Sequence, residues 1–342
     1  MAARNQAVWL ALLMLALWVC AAATSRTTAT ADDMSVRHEQ WMAEHERQYK
    51  NAAEKKYRLK IFKSNVERIE SVNRDGERKY ELSVNRFADL TDEEFKTYYK
   101  GFKPKPIKAT ATNNETLMNM SDVPPSVDWR AKGAVTGVKD QGQCGCCWAF
   151  STVGATEGLI QIKKGNLTSL SEQQLVDCVT GGVTRGCEGG LMDEAFEYII
   201  QNKGIASEET YPYTATEGTC NTDATSAATI TGYEKVPANS EEALMAAVAT
   251  QPVSVAIDGG GPDFKFYSRG VFTGPCGTDL DHAVTLVGYG TEESADGTKY
   301  WLVKNSWGET WGEGGYMRMA RDVGAPEGLC GIAKDASYPT LN

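Results

Sequence analysis

Hydrophobic and polar residues follow different rhythms in different parts of this chain. Near the start, Ala7 to Ala23 is an uncharged run of 17 residues, preceded by Arg4 and ended by Ala21, Ala22 and Ala23. A spanning helix needs about 20 apolar residues. The short run, its basic flank and its small-residue end therefore read as a secretory signal peptide, residues 1–24, which is lost from the mature protein. From Ser35 to Asn73 there are 39 residues without Pro or Gly. Within them Tyr57, Ile61, Val66 and Ile69 recur at roughly helical spacing among charged residues, which predicts helix. A short strand is expected over Tyr80–Val84. Lys103 to Met120 is rich in Pro, Lys, Thr and Asn and has no period, so it reads as an exposed, cleavable linker.

Beyond the linker the pattern changes. Cys147–Lys164 predicts a helix with Phe150, Val153 and Ile160 on one face, and Ser171–Asp177 and Gly190–Gln201 predict two more. After Thr229 the chain reads mainly as strand: Val253–Ile257, Ala283–Tyr289, Tyr300–Lys304 and Tyr316–Met319. A helical half followed by a sheet half is the signature of an α+β arrangement. The span from Val123 to Asn342 is long enough to bury a sizeable core.

Composition sharpens this picture. With 42% apolar and 23% charged residues, disorder and collagen-like structure are excluded. The net charge of −10 hides a division between a front part, residues 1–122, with more Lys and Arg than Asp and Glu, and an acidic remainder. That asymmetry argues against a nucleic-acid partner and suggests that the two parts attract each other. Carboxylates paired across them would stabilise the pairing at neutral pH and lose that effect in acid, so activation by acid is expected. Of nine cysteines, Cys20 leaves with the signal and the rest lie between Cys144 and Cys330. An oxidising compartment makes disulfides their default state, and spacing alone does not fix the pairing.

Residues 123–342 hold one histidine, His282, so any imidazole chemistry there rests on it. His282 opens one predicted strand, Asn305 ends the next, and the loop between them is centred near 293. An antiparallel hairpin would place the two side by side. The Asn could then fix the imidazole tautomer and leave the other ring nitrogen for proton transfer. The nucleophile candidates lie in Gln141-Gly-Gln-Cys144-Gly-Cys146-Cys147-Trp. Cys147 would begin a helix, where the macrodipole and a nearby imidazolium favour a thiolate. Three alternatives stay open on the residues alone. All three cysteines could be structural; Cys144 and Cys147 could bind zinc, for which no second pair follows; or they could form a redox pair, for which no βαβ pattern is present.

These residues resemble the papain-like cysteine proteases, whose C-G-[SA]-C-[WY] signature has His and Asn roughly 130 to 150 residues downstream. Asn305 lies somewhat further on, as extra residues in the Glu292–Thr298 loop would explain, and Cys146 stands where the pattern has Ser or Ala. Glu54, Arg58, Phe62, Asn65, Ile69 and Asn73 match the ERFNIN helix of the family's inhibitory prosegment. Ser83, Asn85, Phe87 and Asp89 match its GxNxFxD segment, with Ser83 in place of Gly.

The resemblance implies a papain-like two-lobed fold, with a helical left lobe and an antiparallel, barrel-like right lobe, behind a helical inhibitory prodomain (residues 25–122; enzyme 123–342). It implies a zymogen of a cysteine endopeptidase with Cys147 as nucleophile, His282 as general acid/base, Asn305 as its orienter shielded by Trp307, and Gln141 as oxyanion donor. Substrate would lie along Gly189, Gly190, Asp281 and Trp307. Leu191, Met192, Leu280 and Ala283 would wall the pocket for the residue two before the cut, with Asp335 at its floor, so Leu, Val or Phe would be preferred and Arg tolerated.

The implied bridges are Cys144–Cys187, Cys178–Cys220 and Cys276–Cys330, with Cys146 and Cys147 free. Sequons at Asn114, Asn119 and Asn166 are candidate glycan sites. No metal or other cofactor is implied. The expected partners are protein and peptide substrates, the chain's own propeptide and cystatin-type inhibitors. Neither nucleic acid nor, after signal removal, a membrane is expected as a partner, and the expected state is a monomer in a vacuole, a lysosome-like compartment or outside the cell.

Overall fold

The long helical stretch of the front part is two helices, not one. In a computed structural model describing residues 33–104, 120–294 and 296–342, residues 33–44 are helical (α1), the chain turns through Glu46 with φ of 51°, and α2 runs over Ala52–Asn73. The signal run and the sequons at Asn114 and Asn119 lie outside the described residues. The break has a local cause that the absence of Pro and Gly concealed. Asn51 Oδ1 accepts from the Glu54 amide at 2.9 Å while the Glu54 carboxylate accepts from the Lys50 amide at 2.8 Å. This pair of reciprocal bonds satisfies amides at the start of α2.

The chain divides into two compact units, Met1–Arg68 with Ala88–Leu90, and Ile69–Phe87 with Thr91–Asn342. The smaller is built on aromatic rings. Phe62 lies 5.0 Å from His38 and 5.3 Å from Trp41 between ring centroids, and all three are buried. Tyr57, counted above with the apolar face, is 52% exposed; Phe62, Val66 and Ile69 form the buried stripe of α2 instead. Arg58 donates to the Asp89 carbonyl, and Asn65 to the carbonyls of Ala88 and Leu90. The returning segment thereby has its backbone acceptors satisfied without being in a sheet. Asp89 accepts from Tyr49 Oη at 3.0 Å.

In the larger unit Asn73 ties the end of α2 to Leu82 by two hydrogen bonds. Leu82 closes β1 (Tyr80–Leu82), which pairs antiparallel with β5 (Tyr267–Phe272). A helix α3 (Asp92–Tyr98) follows, started by a capping box between Thr91 and Glu94. The remaining strands are β2 (Val127–Asp128), β3 (Gly232–Lys235), β4 (Val253–Ile257), β6 (His282–Thr291), β7 (Lys299–Lys304), β8 (Tyr316–Ala320) and β9 (Ala336–Thr340). They join in the order β1-β5-β8-β7-β6-β4-β9-β3, with β2 on β6; β5 and β8 run parallel and the other pairs antiparallel.

The helical half holds α4 (Cys147–Lys164), α5 (Glu172–Cys178) and α6 (Met192–Gln201). One face of α4 was expected to be buried, but nearly every residue from Cys147 to Ile160 is. The reason is that it lies against the sheet as well as against α5 and α6. Ser151 Oγ donates to the Val284 carbonyl at 2.7 Å, and the Ser151 carbonyl accepts from Ser254 Oγ at 2.8 Å. The sheet half also contains a helix that the sequence reading did not single out, α7 (Glu241–Thr250). Its signal was present: Ser240 caps the Ala243 amide, two glutamates fill the first turn, and Leu244, Ala247 and Val248 are buried. Among the described residues no helix is long and apolar enough to cross a membrane.

Candidate active site

Cys147 is the first residue of α4, reached through the turn from Gln141 that the Cys144–Cys187 bridge ties to a neighbouring loop. The structure pairs Cys178 with Cys220 and Cys276 with Cys330, and leaves Cys146 and Cys147 as free, buried thiols. With its sulfur in a disulfide, Cys144 is neither a metal ligand nor the redox partner of Cys147. No group of three or more His, Cys, Asp or Glu with metal-binding geometry occurs among the described residues.

His282 opens β6, paired with Ile257 of β4. The hairpin does bring it to Asn305, though not directly across the ladder. The register runs Thr285↔Lys304 and Leu286↔Val303, then shifts at Val287 to Gly288↔Leu302. Continued past Lys304, that register would set Asn305 opposite Val284. Asn305 instead leaves the strand, its amide bonded to the Gly315 carbonyl, and its side chain reaches back so that Oδ1 lies 2.8 Å from His282 Nε2.

The direction of that bond follows from a third group. Asn305 Oδ1 also accepts from the Ser306 amide at 2.8 Å. The atom there is therefore an acceptor, Nε2 carries the proton, and the lone pair of the neutral ring sits on Nδ1. Nδ1 is buried without a hydrogen-bond partner among the described residues. The next amide in the chain, Ala283 N–H, donates to Cys147 Sγ at 3.3 Å, which places the thiol beside the start of the same strand. Trp307 stacks on the imidazole at 4.6 Å, so it covers the face of His282. Gln141 is buried, donating through Nε2 to the Cys144 carbonyl at 3.0 Å and accepting from Ser306 Oγ at 2.6 Å.

The thiolate expected at the helix N-terminus is not favoured in this closed state. Burial pushes the Cys147 thiol up to about 12, against the help of the Ala283 amide, and holds His282 down to about 3, against the Asn305 hydrogen bond. Desolvation outweighs the helix terminus because neither side chain touches water. Burial thus disfavours the charged form of each.

What excludes water is the chain's own front part. Gly101 and Phe102 amides both donate to the Asp281 carbonyl at 3.1 Å, Lys103 N–H donates to the Gly190 carbonyl, and Gly190 N–H to the Gly101 carbonyl. Phe102 belongs to the same buried apolar cluster as Leu191, Met192, Leu280 and Ala283. Gly101 passes so close to Gly145 that a Cβ there would overlap its carbonyl. The extended segment thus uses Gly190, next to Gly189, and Asp281 as its backbone partners.

Asp335 differs from expectation: its carboxylate takes Lys235 Nζ at 2.6 Å, and Lys235 also pairs with Asp193 at 2.8 Å. It is engaged by a lysine on β3 that it shares with Asp193, so it does not stand in the pocket as a free acid. Asn166 is exposed just after the end of α4. Sequence reasoning passed over Ser306, which fixes both Asn305 and Gln141. It also passed over Phe102, whose signal was its position as the one large apolar residue between Tyr99 and Ile107.

The family profile described as papain family cysteine protease matches residues 123–340, and that of the cathepsin propeptide inhibitor domain matches residues 38–95. The chain is 56% identical over 319 residues to the senescence-specific cysteine protease SAG12 of Arabidopsis thaliana, covering 90% of each. Among solved structures it is similar to a recombinant stem bromelain precursor, with a TM-score of 0.83 at 49% identity over 91% of this chain and 99% of that one. It is also similar to the bromelain protease from Ananas comosus in complex with the E64 inhibitor, with a TM-score of 0.62 at 55% identity over 64% of this chain and 100% of that one.

Proposed function

The chain belongs to the papain family of cysteine proteases and carries the family's propeptide inhibitor domain, and from that premise we propose which residues hydrolyse the peptide bond and what they cut. Cys147 is the nucleophile, His282 the general acid/base acting through Nδ1, and Asn305 the residue that holds the ring. The observation that carries this is the pair of bonds into Asn305 Oδ1, from His282 Nε2 and from the Ser306 amide. They leave Nδ1 as the unprotonated nitrogen, beside the strand start that contacts Cys147 Sγ.

Once the front segment leaves, water and the N-terminus of α4 favour transfer of the thiol proton to Nδ1. The thiolate attacks the scissile carbonyl, and His282 returns the proton to the leaving amine. Gln141, with one side-chain N–H committed to the Cys144 carbonyl, offers its second to the oxyanion together with the Cys147 amide, a contribution of about 3 kcal/mol per donor. Leu191, Met192, Leu280 and Ala283 take an apolar side chain two residues before the cut, the place that Phe102 fills in the precursor.

The enzyme works as a monomer on protein and peptide substrates, is open to cystatin-type inhibitors, and comprises residues 123–342 after loss of 1–24 and 25–122. Pro124 and Pro125 near the new terminus resist aminopeptidases. It acts in a vacuole, a lysosome-like compartment or outside the cell, with glycans at Asn114, Asn119 or Asn166. Purified precursor incubated at acid pH should shorten itself and then hydrolyse peptides with Leu or Phe two before the cut. An epoxide thiol inhibitor or Cys147→Ala should abolish both. Activity that survives Cys147→Ala would remove the assignment.

A further inference from the structure

The segment lying in the cleft reports, residue by residue, what the cleft accepts. Phe102 belongs to the apolar cluster of the pocket, Gly101 lies against Gly145 with no side chain, and Lys100 reaches Gly260, next to the Gly259 that abuts His282. Its Nζ pairs with the Asp281 carboxylate and Lys100 is only 5% exposed. The surroundings are built for a cation. Asp281 Oδ1 is held by the Gly259 amide at 3.0 Å, and Asp258 Oδ1 by the Gly260 amide at 3.4 Å. Asp258 attracts the ammonium, while Lys96 on α3 is the one like charge acting on it. A Cβ on Gly260 would stand where Lys100 Nζ does, so the pocket exists because that residue is glycine. Burial works against both charges, pushing the ammonium down and the Asp281 carboxyl up, and each is relieved by the other.

The carboxylates and the glycine that meet the ammonium come from residues 258–260 and 281, whereas the cation comes from the front segment. When that segment is removed, an acidic pocket remains next to His282. We propose that it is a substrate subsite: the mature enzyme takes a Lys or Arg side chain immediately after the scissile bond, recognised by Asp281 and Asp258. The position follows from counting along the cleft, and it rests on the apolar pocket being the one that reads the residue two before the cut. Phe102 marks that place, Gly101 the residue before the cut, and Lys100 the first residue beyond it. Extended residues advance about 3.3 Å each whichever way the chain runs, so the order of places does not depend on direction.

Precursor made as the full chain and self-processed in acid is assayed on internally quenched peptides. In one series Leu is fixed two before the cut, and Lys, Arg, Gln or Glu follows the cut. Lys and Arg should raise kcat/KM about tenfold over Gln, with Glu lowest, and the advantage should shrink as salt is added. Asp281→Asn should bring the Lys-to-Gln ratio close to one. Gly260→Ala, which fills the ammonium's place and leaves both carboxylates in the chain, with its methyl 3.0 Å from Asp281 Oδ2, should lower the same ratio and covers the case in which the Asp281 variant does not process. Equal rates for Lys and Gln in the wild type, or a ratio unchanged in both variants, would overturn the subsite. A second series replaces Leu by Gly two before the cut with Lys fixed after it. Activity lost there beside a flat first series refutes the acidic subsite alone, and activity retained there removes the reading that locates it.

Discussion

The smaller unit of this chain encloses a histidine whose proton affinity burial lowers, the larger a glutamate whose proton affinity burial raises, and acid therefore acts on them in opposite senses. His38 lies between the rings of Trp41, Tyr49 and Phe62, with Nε2 at 3.2 Å from Tyr49 Oη. Burial lowers its pKa; Glu39 and Asp89 raise it in part, and Lys55 adds to the lowering. The unfolded unit then binds more protons below the ordinary value of 6.5, so its stability is complete above that pH and falls as the pH drops further. In the larger unit, Lys139 Nζ is shared between Glu157 at 3.1 Å and Glu172 at 2.7 Å, both fully buried. Burial raises Glu172 to about 7, with Lys139 opposing and Glu157 and Glu208 reinforcing. A raised carboxyl contributes its stability below 4.5 and loses it as the pH rises through about 7. The same acid that loosens the inhibitory unit tightens the enzyme. Two of the carboxylates paired with lysines of the front part shift in opposite directions. Burial raises Asp281, and Asp296, held low by Lys79, titrates below the window in which a vacuole differs from the cytosol.

The largest test removes the ring on which the smaller unit is built. Phe62→Ala should cost about 3–5 kcal/mol, enough to unfold a unit of this size. The precursor should then process itself at pH 7 as fast as at pH 4.5, while the thermal transition of the larger unit moves little. Latency retained at pH 7 would mean that the segment Lys100–Lys103 inhibits alone and that the two units do not divide the labour as argued.

Next in size is the shared lysine. In a Cys147→Ala background that prevents self-digestion, the denaturant midpoint of the larger unit should fall between pH 5 and pH 8 by about 2 kcal/mol, since each unit of pKa shift corresponds to about 1.4 kcal/mol. Glu172→Gln should flatten that dependence. A slope that survives the substitution would assign it to another group.

A smaller effect is expected from His38→Phe, which keeps the ring stack and removes the titration. The pH at which processing is half-maximal should move down by about half a unit, because a single buried imidazole contributes on that scale. An unchanged midpoint, read from gel time courses between pH 4 and 7, would free His38 of this role.

How much of this was open to sequence reasoning depends on whether the determining contact is local. The capping signals before α5 and α7 and the glycine-framed turn before Cys147 act within a few residues, and α7 was missed only because its neighbours read as strand. The meeting of His282 and Asn305 was visible because a hairpin is a short-range geometry, yet the shift at Val287 was overlooked, although Gly288 beside it is the residue type that marks a bulge within a strand. Long-range pairings left no periodic trace. Asp335 reads as a free acid until Lys235 is seen beside it, and Lys100 reads as one more charge in a polar stretch until Asp281 and Gly260 enclose it.

The smallest expected effect concerns Cys146, whose place beside the nucleophile suggests a thiol that could resolve an oxidised Cys147. Its surroundings favour packing. Cys146 precedes α4 with Sγ at 2.9 Å from Tyr213 Oη, and Tyr213 donates to the Gln141 carbonyl at 2.7 Å. Burial raises the Cys146 thiol far above its ordinary value, so little of it is the thiolate that attack on a sulfenic acid requires. Peroxide-inactivated wild type and Cys146→Ser should therefore recover equally with dithiothreitol, and Cys146→Ser should cost less than about 1 kcal/mol because a hydroxyl can also meet Tyr213. Tyr213→Phe should do more, since it leaves the Gln141 carbonyl without its donor at about 1–2 kcal/mol and loosens the turn that carries the oxyanion side chain. The expected readout is a lower kcat with little change in KM. Poorer recovery in Cys146→Ser would show instead that the adjacent thiol protects the nucleophile, and a Tyr213→Phe enzyme with unchanged kcat would show that the turn is held without it.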